Sequence, residues 1–548
     1  MGWSRRLVLV AAVVGVAVCV VVFVRPPADS RDELEKLFES AKKKGERLTT
    51  AKRHESAVYL YTDALEKISR DAMPKEWAEL QFALGYVTHD WSNHSDLAAA
   101  GPRRQQALEA YRAALAVYTP EDFPENWAKT RENIGHVLAD QAAASGGTPR
   151  ENLLAEAAQA FRDAIDVFAR KTPLDDWAAA QDHLGNALLE LAELSTGQSR
   201  SRRLDESGRA FRSALTVYSR ENTPRDWARA QMNLAEVLSR QADASEGPTR
   251  AKLLDEALQA VRAALEVHTR KEVPQDWADA QGRLGYVLLR QSDTVEGPPR
   301  AKLLDQAVRA YHAALQVFTR EDSARKWANT QEGLALALSR QAQMSKGPTR
   351  TRLFDDAHQA IREALDVYGT RDDFAADWAR THVNLGYVLW EQARISKASL
   401  QTPLFAESIQ ASRVALAILT REGDPYDWAT AYGNLGVAFL LRAEANEEER
   451  RPQWLTESVQ ALQTALTVFT REHFAREWAT TTVHLGNALL RQAEITTGDP
   501  RDRLLTDAIA CYESALDTYP KERYPDDYRQ AQHNQSEARR LLDEAKGE

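Results

Sequence analysis

Residues 274–291, PQDWADAQGRLGYVLLRQ, place apolar side chains at Trp277, Leu284, Val287 and Leu288, the spacing of one helix face. Pro274 suits a first helical turn, and Asp276 complements the dipole there. EGPPR (296–300) breaks the pattern. It resumes over residues 301–318, where Leu304, Ala307, Tyr311, Ala314, Leu315 and Phe318 form a second apolar stripe. The connection is short, so the two segments predict an antiparallel helix pair.

The same pattern recurs along most of the chain. Trp77, Trp127, Trp177, Trp227, Trp277 and Trp327 are fifty residues apart; Trp378, Trp428 and Trp478 keep that spacing after a one-residue slip, and Tyr528 takes the next place. Seven residues after each comes an apolar residue followed by a small one: Leu84-Gly85, Ile134-Gly135, Leu234-Ala235. Self-similarity at a fixed period predicts an array of stacked hairpins, here all-α with about ten antiparallel helix pairs. The small residue is expected to let two helices approach closely. The tryptophans are expected to pack between successive pairs, with Trp277→Ala costing about 3–5 kcal/mol as a large core deletion.

The ends read as caps. Ser30 and Glu33 have capping-box spacing, and residues 54–68 match a second helix with Ala57, Tyr61 and Ala64 in phase. At the other end Gln535-Ser536 replaces Leu-Gly and the helix turns polar, as the outer face of a terminal repeat must. The chain thus divides into a basic flank (1–6), an apolar segment (7–24), a linker (25–29), a helical array (30–526) and a capping helix (527–548).

Leu284, Gly285 and Leu288, followed by Ala307, Tyr311 and Ala314, resemble the tetratricopeptide repeat. The likeness covers about residues 50 to 545. It implies a right-handed α-solenoid whose first helices line a concave, peptide-binding side. The family unit has ~34 residues, shorter than this one. Long units of this kind look like those of kinesin light chains and of bacterial tetratricopeptide arrays. The resemblance implies groove residues beside the key leucine: one before it, Asn133, His183, Asn233, Arg283, Asn384 and Asn434; two after it, Asn186, Tyr286, Tyr387 and Asn487. Side-chain amides spaced along a groove suit the backbone of an extended peptide. The competing reading is that these asparagines satisfy loops or helix ends locally. Asp182 and Asp279 stand where lysines belong in the family's carboxylate clamps, which argues against a clamp.

Arg240, Arg290 and Arg340 recur six residues after the key position. They could read an acidic partner, or could simply answer the helix C-terminal dipole. The arginines of the TRE loops, among them Arg270, Arg320, Arg421 and Arg471, read as structural.

Composition narrows the function. Hydrophobic residues make up 43% and charged residues 27%, enough to bury a core. A net charge of −10 argues against a nucleic-acid binder. Two cysteines, Cys19 and Cys511, exclude a disulfide framework. Leu7–Val24 is an unbroken apolar run following Arg5 and Arg6 without a good cleavage site. It is expected to be an uncleaved transmembrane anchor, making a single-pass membrane protein with its bulk on the non-cytoplasmic side. No phosphate loop or nucleophile elbow is visible, so neither an enzyme nor a cofactor nor a small-molecule substrate is expected, and no metal ligands are assigned. The expected function is a membrane-anchored scaffold binding proteins or peptides in its groove. The alternatives are an assembly subunit using the convex face or repeat edges, and an accessory protein with a cryptic metal site near His89, His94 and Asp96.

Overall fold

Each fifty-residue period resolves into two helices whose ends are set by local chemistry. In the computed structural model, which describes residues 28–170, 174–195, 197–245, 247–369, 374–445, 449–518 and 525–547, leading helices begin at Pro74, Pro124, Pro224, Pro274 and Pro425. Proline has the right φ and lacks an N–H that would be orphaned there. The tryptophan three residues on closes the first turn: Trp277 N–H donates to the Val273 carbonyl at 2.9 Å. Between leading and trailing helix the chain turns at Gly147, Gly247, Gly297 and Gly347, with φ from 57° to 66°, the left-handed region that favours glycine.

The chain divides after Ser195 into two compact units. The first holds α1 (Ala28–Thr50), α2 (His54–Lys67), α3 (Pro74–Asn93), α4 (Leu97–Leu115), α5 (Pro124–Ala143), α6 (Gly147–Phe168) and α7 (Asp175–Glu193). The second opens with α8 (Gly197–Ala214), α9 (Pro224–Asp243), α10 (Gly247–Leu265), α11 (Pro274–Ser292), α12 (Pro298–Leu315), α13 (Ala324–Met344) and α14 (Gly347–Tyr368). It continues with α15 (Ala375–Ile395), α16 (Ala398–Leu416), α17 (Pro425–Glu444), α18 (Arg451–Ala465), α19 (Ala475–Glu494), α20 (Asp499–Leu516) and α21 (Pro525–Gly547). No strand occurs among the described residues. Odd-numbered helices lead, and even-numbered ones trail. Within each unit consecutive leading helices touch, as α3 does α5 and α11 does α13, most closely α15 against α17; consecutive trailing helices make no approach as close among the described residues. Each unit therefore bends with its leading helices on the inner side, a tetratricopeptide-like arrangement.

The close approach within a pair follows a size rule. A Cβ added at Gly85 would lie 2.8 Å from the Tyr111 ring, at Gly135 2.7 Å from Phe161, at Gly285 2.8 Å from Tyr311, and at Gly486 2.9 Å from Tyr512. The trailing-helix residue sits twenty-six positions on in every case. Where the small residue is Ala235 or Ala335, that position carries the smaller Val261 or Ile361, and all four are fully buried. Successive pairs are joined by the tryptophans. Trp277 and Trp327 pack on one cluster with Ala278, Ala314 and Phe318, and Trp428 and Trp478 share another with Ala429, Ala465 and Phe469. The tryptophans are half-buried, whereas the alanine after each is fully enclosed. Trp277→Ala therefore removes less buried surface than a complete core deletion does.

Two expectations are corrected. Ser30 lies inside α1 rather than at its start, so the Ser30–Glu33 box does not begin that helix. Among the described residues no helix is long and apolar enough to cross a membrane, which overturns the single-pass membrane assignment. The apolar run at 7–24 that prompted it, with its flank and most of its linker, lies outside the described residues.

The size rule predicts a coupled pair of substitutions. Gly285→Ala should destabilise by about 1–3 kcal/mol through overpacking. Combined with Tyr311→Val, the loss in urea denaturation should fall short of the sum of the single losses by at least about 1 kcal/mol.

Candidate partner-binding face

Along the inner side, residue i of one leading helix stands against residue i+47 of the next. Three tiers of side chains follow this register. Near the helix starts, Lys326 Nζ donates to Asp279 at 2.6 Å, and Lys129 lies 3.8 Å from Asp176. In the middle, Arg283 pairs with Glu236, His183 meets His136 edge-on with centroids 4.2 Å apart, and Asn534 donates to Asn487 at 2.7 Å. Near the helix ends, Arg290 Nε donates to Asp243 at 2.8 Å, Arg340 pairs with Asp293, and Arg491 donates to Glu444 at 2.7 Å. Successive tiers lie seven residues apart, two helical turns or about 10.5 Å.

Of the groove candidates His183, Arg283 and Asn487 follow this register, and most of the others bond to a neighbouring leading helix at other spacings. Tyr286 donates its hydroxyl proton to Asp243 at 2.8 Å, and the Tyr387 hydroxyl accepts from Gln343 at 2.9 Å. Asn384 donates to Glu332, which also accepts from Thr381 at 3.2 Å. Asn434 is buried: it donates to the Val383 carbonyl at 2.9 Å and accepts from the Trp390 indole at 3.3 Å. Asn487 accepts from Tyr512 as well, at 2.8 Å. Asn133 and Asn186 donate to carbonyls one turn back on their own helices, of Lys129 at 2.8 Å and Asp182 at 2.9 Å. Asn233 is half-buried and makes no side-chain hydrogen bond among the described residues.

Arg240, Arg290 and Arg340 do not form one uniform strip. Arg290 and Arg340 cross to the aspartates ending the preceding leading helix, whereas Arg240 donates to Glu236 on its own helix at 2.7 Å. The sequence reading missed the partners Asp243 and Asp293, although both stand forty-seven residues upstream of their arginines. The TRE-type loop arginines also cross between pairs: Arg270 donates to Gln316 at 2.7 Å, and Arg421 to the Thr467 carbonyl at 3.1 Å.

The inner side is electrostatically tense. Burial alone would raise the pKa of Asp293, but Arg340, Arg476 and Arg290 outweigh it and hold the carboxylate well below its usual range. Arg476 belongs to α19, several pairs beyond α11. Burial raises the pKa of Glu332 against the opposing pull of Arg380 and its hydrogen bonds. In the first unit, burial and then Asp176 push Glu132 up to about 7, against Lys129. Burial and then the charge of His89 push His136 down to about 4, against Asp140.

The residues proposed for a cryptic metal site are not brought together. His89 Nε2 lies 2.7 Å from Asp140, Asp96 accepts from the Ala99 N–H at 2.9 Å as a helix cap, and His94 turns to Asp90 and His54. Two other groups do converge, His54–Asp90–His94 and Glu132–His136–His183.

No protein-family model matches the chain, and no curated protein matches it. Among solved structures it is similar to yeast Tom70, at 12% identity over 92% of this chain and 96% of that one, with a TM-score of 0.30. It is also similar to the apo form of RapI (14% identity, 69% and 98% covered, TM-score 0.38) and to the P58(IPK) TPR domain (14%, 85% and 99%, TM-score 0.23). At these scores the likenesses carry no argument. The tetratricopeptide-like description rests on the helix pairs themselves.

Asp293 offers a test of the tiers. Its folded pKa is depressed, so its ionisation stabilises the fold above about pH 4 and that contribution is lost as pH falls further. Asp293→Asn should cost about 3–5 kcal/mol at pH 7, because the half-buried Arg340 loses the counter-charge supplied by the enclosed Asp293 carboxylate. In urea denaturation the variant should also show a smaller stability difference between pH 7 and pH 3 than the parent chain.

Proposed function

We propose that the chain is a non-enzymatic scaffold that binds a protein or peptide partner along the inner side of its leading helices. One observation carries this reading: the i to i+47 tiers fix neighbouring leading helices side by side, so the surface they present is set before any partner arrives. A pre-organised surface spares the ordering cost that otherwise weakens association. The tiers also divide the candidate residues by role. Arg283, Tyr286, Asn384, Tyr387, Asn434 and Asn487 spend their hydrogen bonds on holding helices together, and Arg290 and Arg340 do the same. Partner contacts fall to middle-tier side chains that make no side-chain hydrogen bond among the described residues, such as Asn233 and Tyr86, which is 52% exposed. The interplay resembles an asparagine-lined groove in part only, since Asn133 and Asn186 answer their own backbone. An acidic partner read by Arg240 is a finer version of the same proposal.

Site-specific photo-crosslinking on the full chain separates the inner side from the outer. A benzophenone side chain at position 86 or 233 should capture the partner. One at position 59, on α2, where Tyr59 is 75% exposed, should not. Capture at 59 alone would move the interface to the outer face. Asn233→Ala should weaken capture while changing stability by no more than about 0.5 kcal/mol. Asn434→Ala should instead destabilise by about 1–3 kcal/mol, because the Val383 carbonyl and the Trp390 indole lose their buried partner.

A further inference from the structure

Each of the two converging groups of the first unit has its donor atoms within 4.8 Å of one another. In His54–Asp90–His94 the charges already answer each other. Asp90 is held by His54 at 2.8 Å and Lys52 at 3.1 Å, and His94 Nδ1 engages the Asp90 carbonyl at 2.8 Å. Glu132–His136–His183 is different. Glu132 makes no side-chain hydrogen bond among the described residues, and Lys129 reaches it only through its charge. His136 makes ring contacts, with His183 and Phe161. A half-buried carboxylate thus stands beside two imidazoles with its hydrogen-bonding capacity unused, which costs free energy unless a cation is at hand.

Backbone geometry delivers all three donors. Glu132 and His136 are one turn apart on α5, and His183 arrives on α7 by the same i to i+47 register that builds the tiers. Phe161 of α6, seated on Gly135, walls the group, with its centroid 5.3 Å from His136 and 5.6 Å from His183. Two imidazole nitrogens and one carboxylate oxygen make a donor set for zinc and neighbouring first-row divalent ions, with a further position left for an outside ligand.

We propose that Glu132, His136 and His183 form a divalent transition-metal site, zinc foremost, that clamps α5 to α7. Its open position takes water or a donor atom of a bound partner. The site stands independently of the partner-binding reading, since the ion alone is the probe. Chelator-treated full-length chain, titrated calorimetrically with Zn²⁺ and Co²⁺, should take up one equivalent, and Co²⁺ should give a visible absorption band. Glu132→Gln and His183→Gln should each weaken uptake at least about tenfold, and His54→Gln should leave it unchanged, with circular dichroism confirming that helicity is retained. The parent-chain titration does not depend on any variant folding. Absence of saturable uptake by the parent chain would overturn the site, as would uptake that is undiminished in both Glu132→Gln and His183→Gln.

Discussion

The seating of a large trailing-helix side chain on a leading-helix glycine sets the geometry of the pairs that carry Gly85, Gly135, Gly285, Gly436 and Gly486. At Gly85, Gly135, Gly285 and Gly486 there is room for a tyrosine or phenylalanine ring only because no Cβ is present. Protein interiors pack at crystal density and yield little to added volume. At these four glycines the distance of approach of the two helices therefore depends on the absence of a single Cβ. That distance decides where the tryptophan of the next pair finds its cluster, and so where the next leading helix lies.

On that frame the polar tiers add specificity rather than bulk stability. A repeat array risks pairing out of step, since each hairpin resembles its neighbours. The middle tier answers this by changing its chemistry along the chain: His136 with His183, Arg283 with Glu236, Asn534 with Asn487. A slip by one repeat would set unlike partners together. Such mismatches disfavour the wrong register even where the correct pair is worth little in itself.

The sequence showed the pairs, their number and their period, because the Trp and Leu-Gly markers report on contacts that recur identically. It showed the close approach at the small residues and the sharing of tryptophans between pairs. The resemblance pointed to asparagines and tyrosines beside the key leucine, and several of them bond between neighbouring leading helices. What the sequence hid was who pairs with whom between repeats. Asp243 and Arg290 are each ordinary helix-end residues. Only the three-residue offset between neighbouring helices turns a fifty-residue period into a forty-seven-residue partnership. The same offset explains why Glu132, His136 and His183 meet, while His89, His94 and Asp96, close in sequence, diverge. The membrane assignment failed for a different reason: it rested on a segment outside the described residues, and none of the described helices is long and apolar enough to cross a membrane.

The close packing of α15 on α17 has a mechanical consequence. There Asn434 is buried and bonded across to α15, and Glu332, on α13, gathers Thr381 and Asn384. Openings in a linear array begin where neighbour contacts are fewest and spread until they meet a well-tied segment. The middle of the second unit is such a stop. Amide protons of α15 and α17 should exchange with solvent last, and fraying that starts near α21 should be arrested before it reaches them.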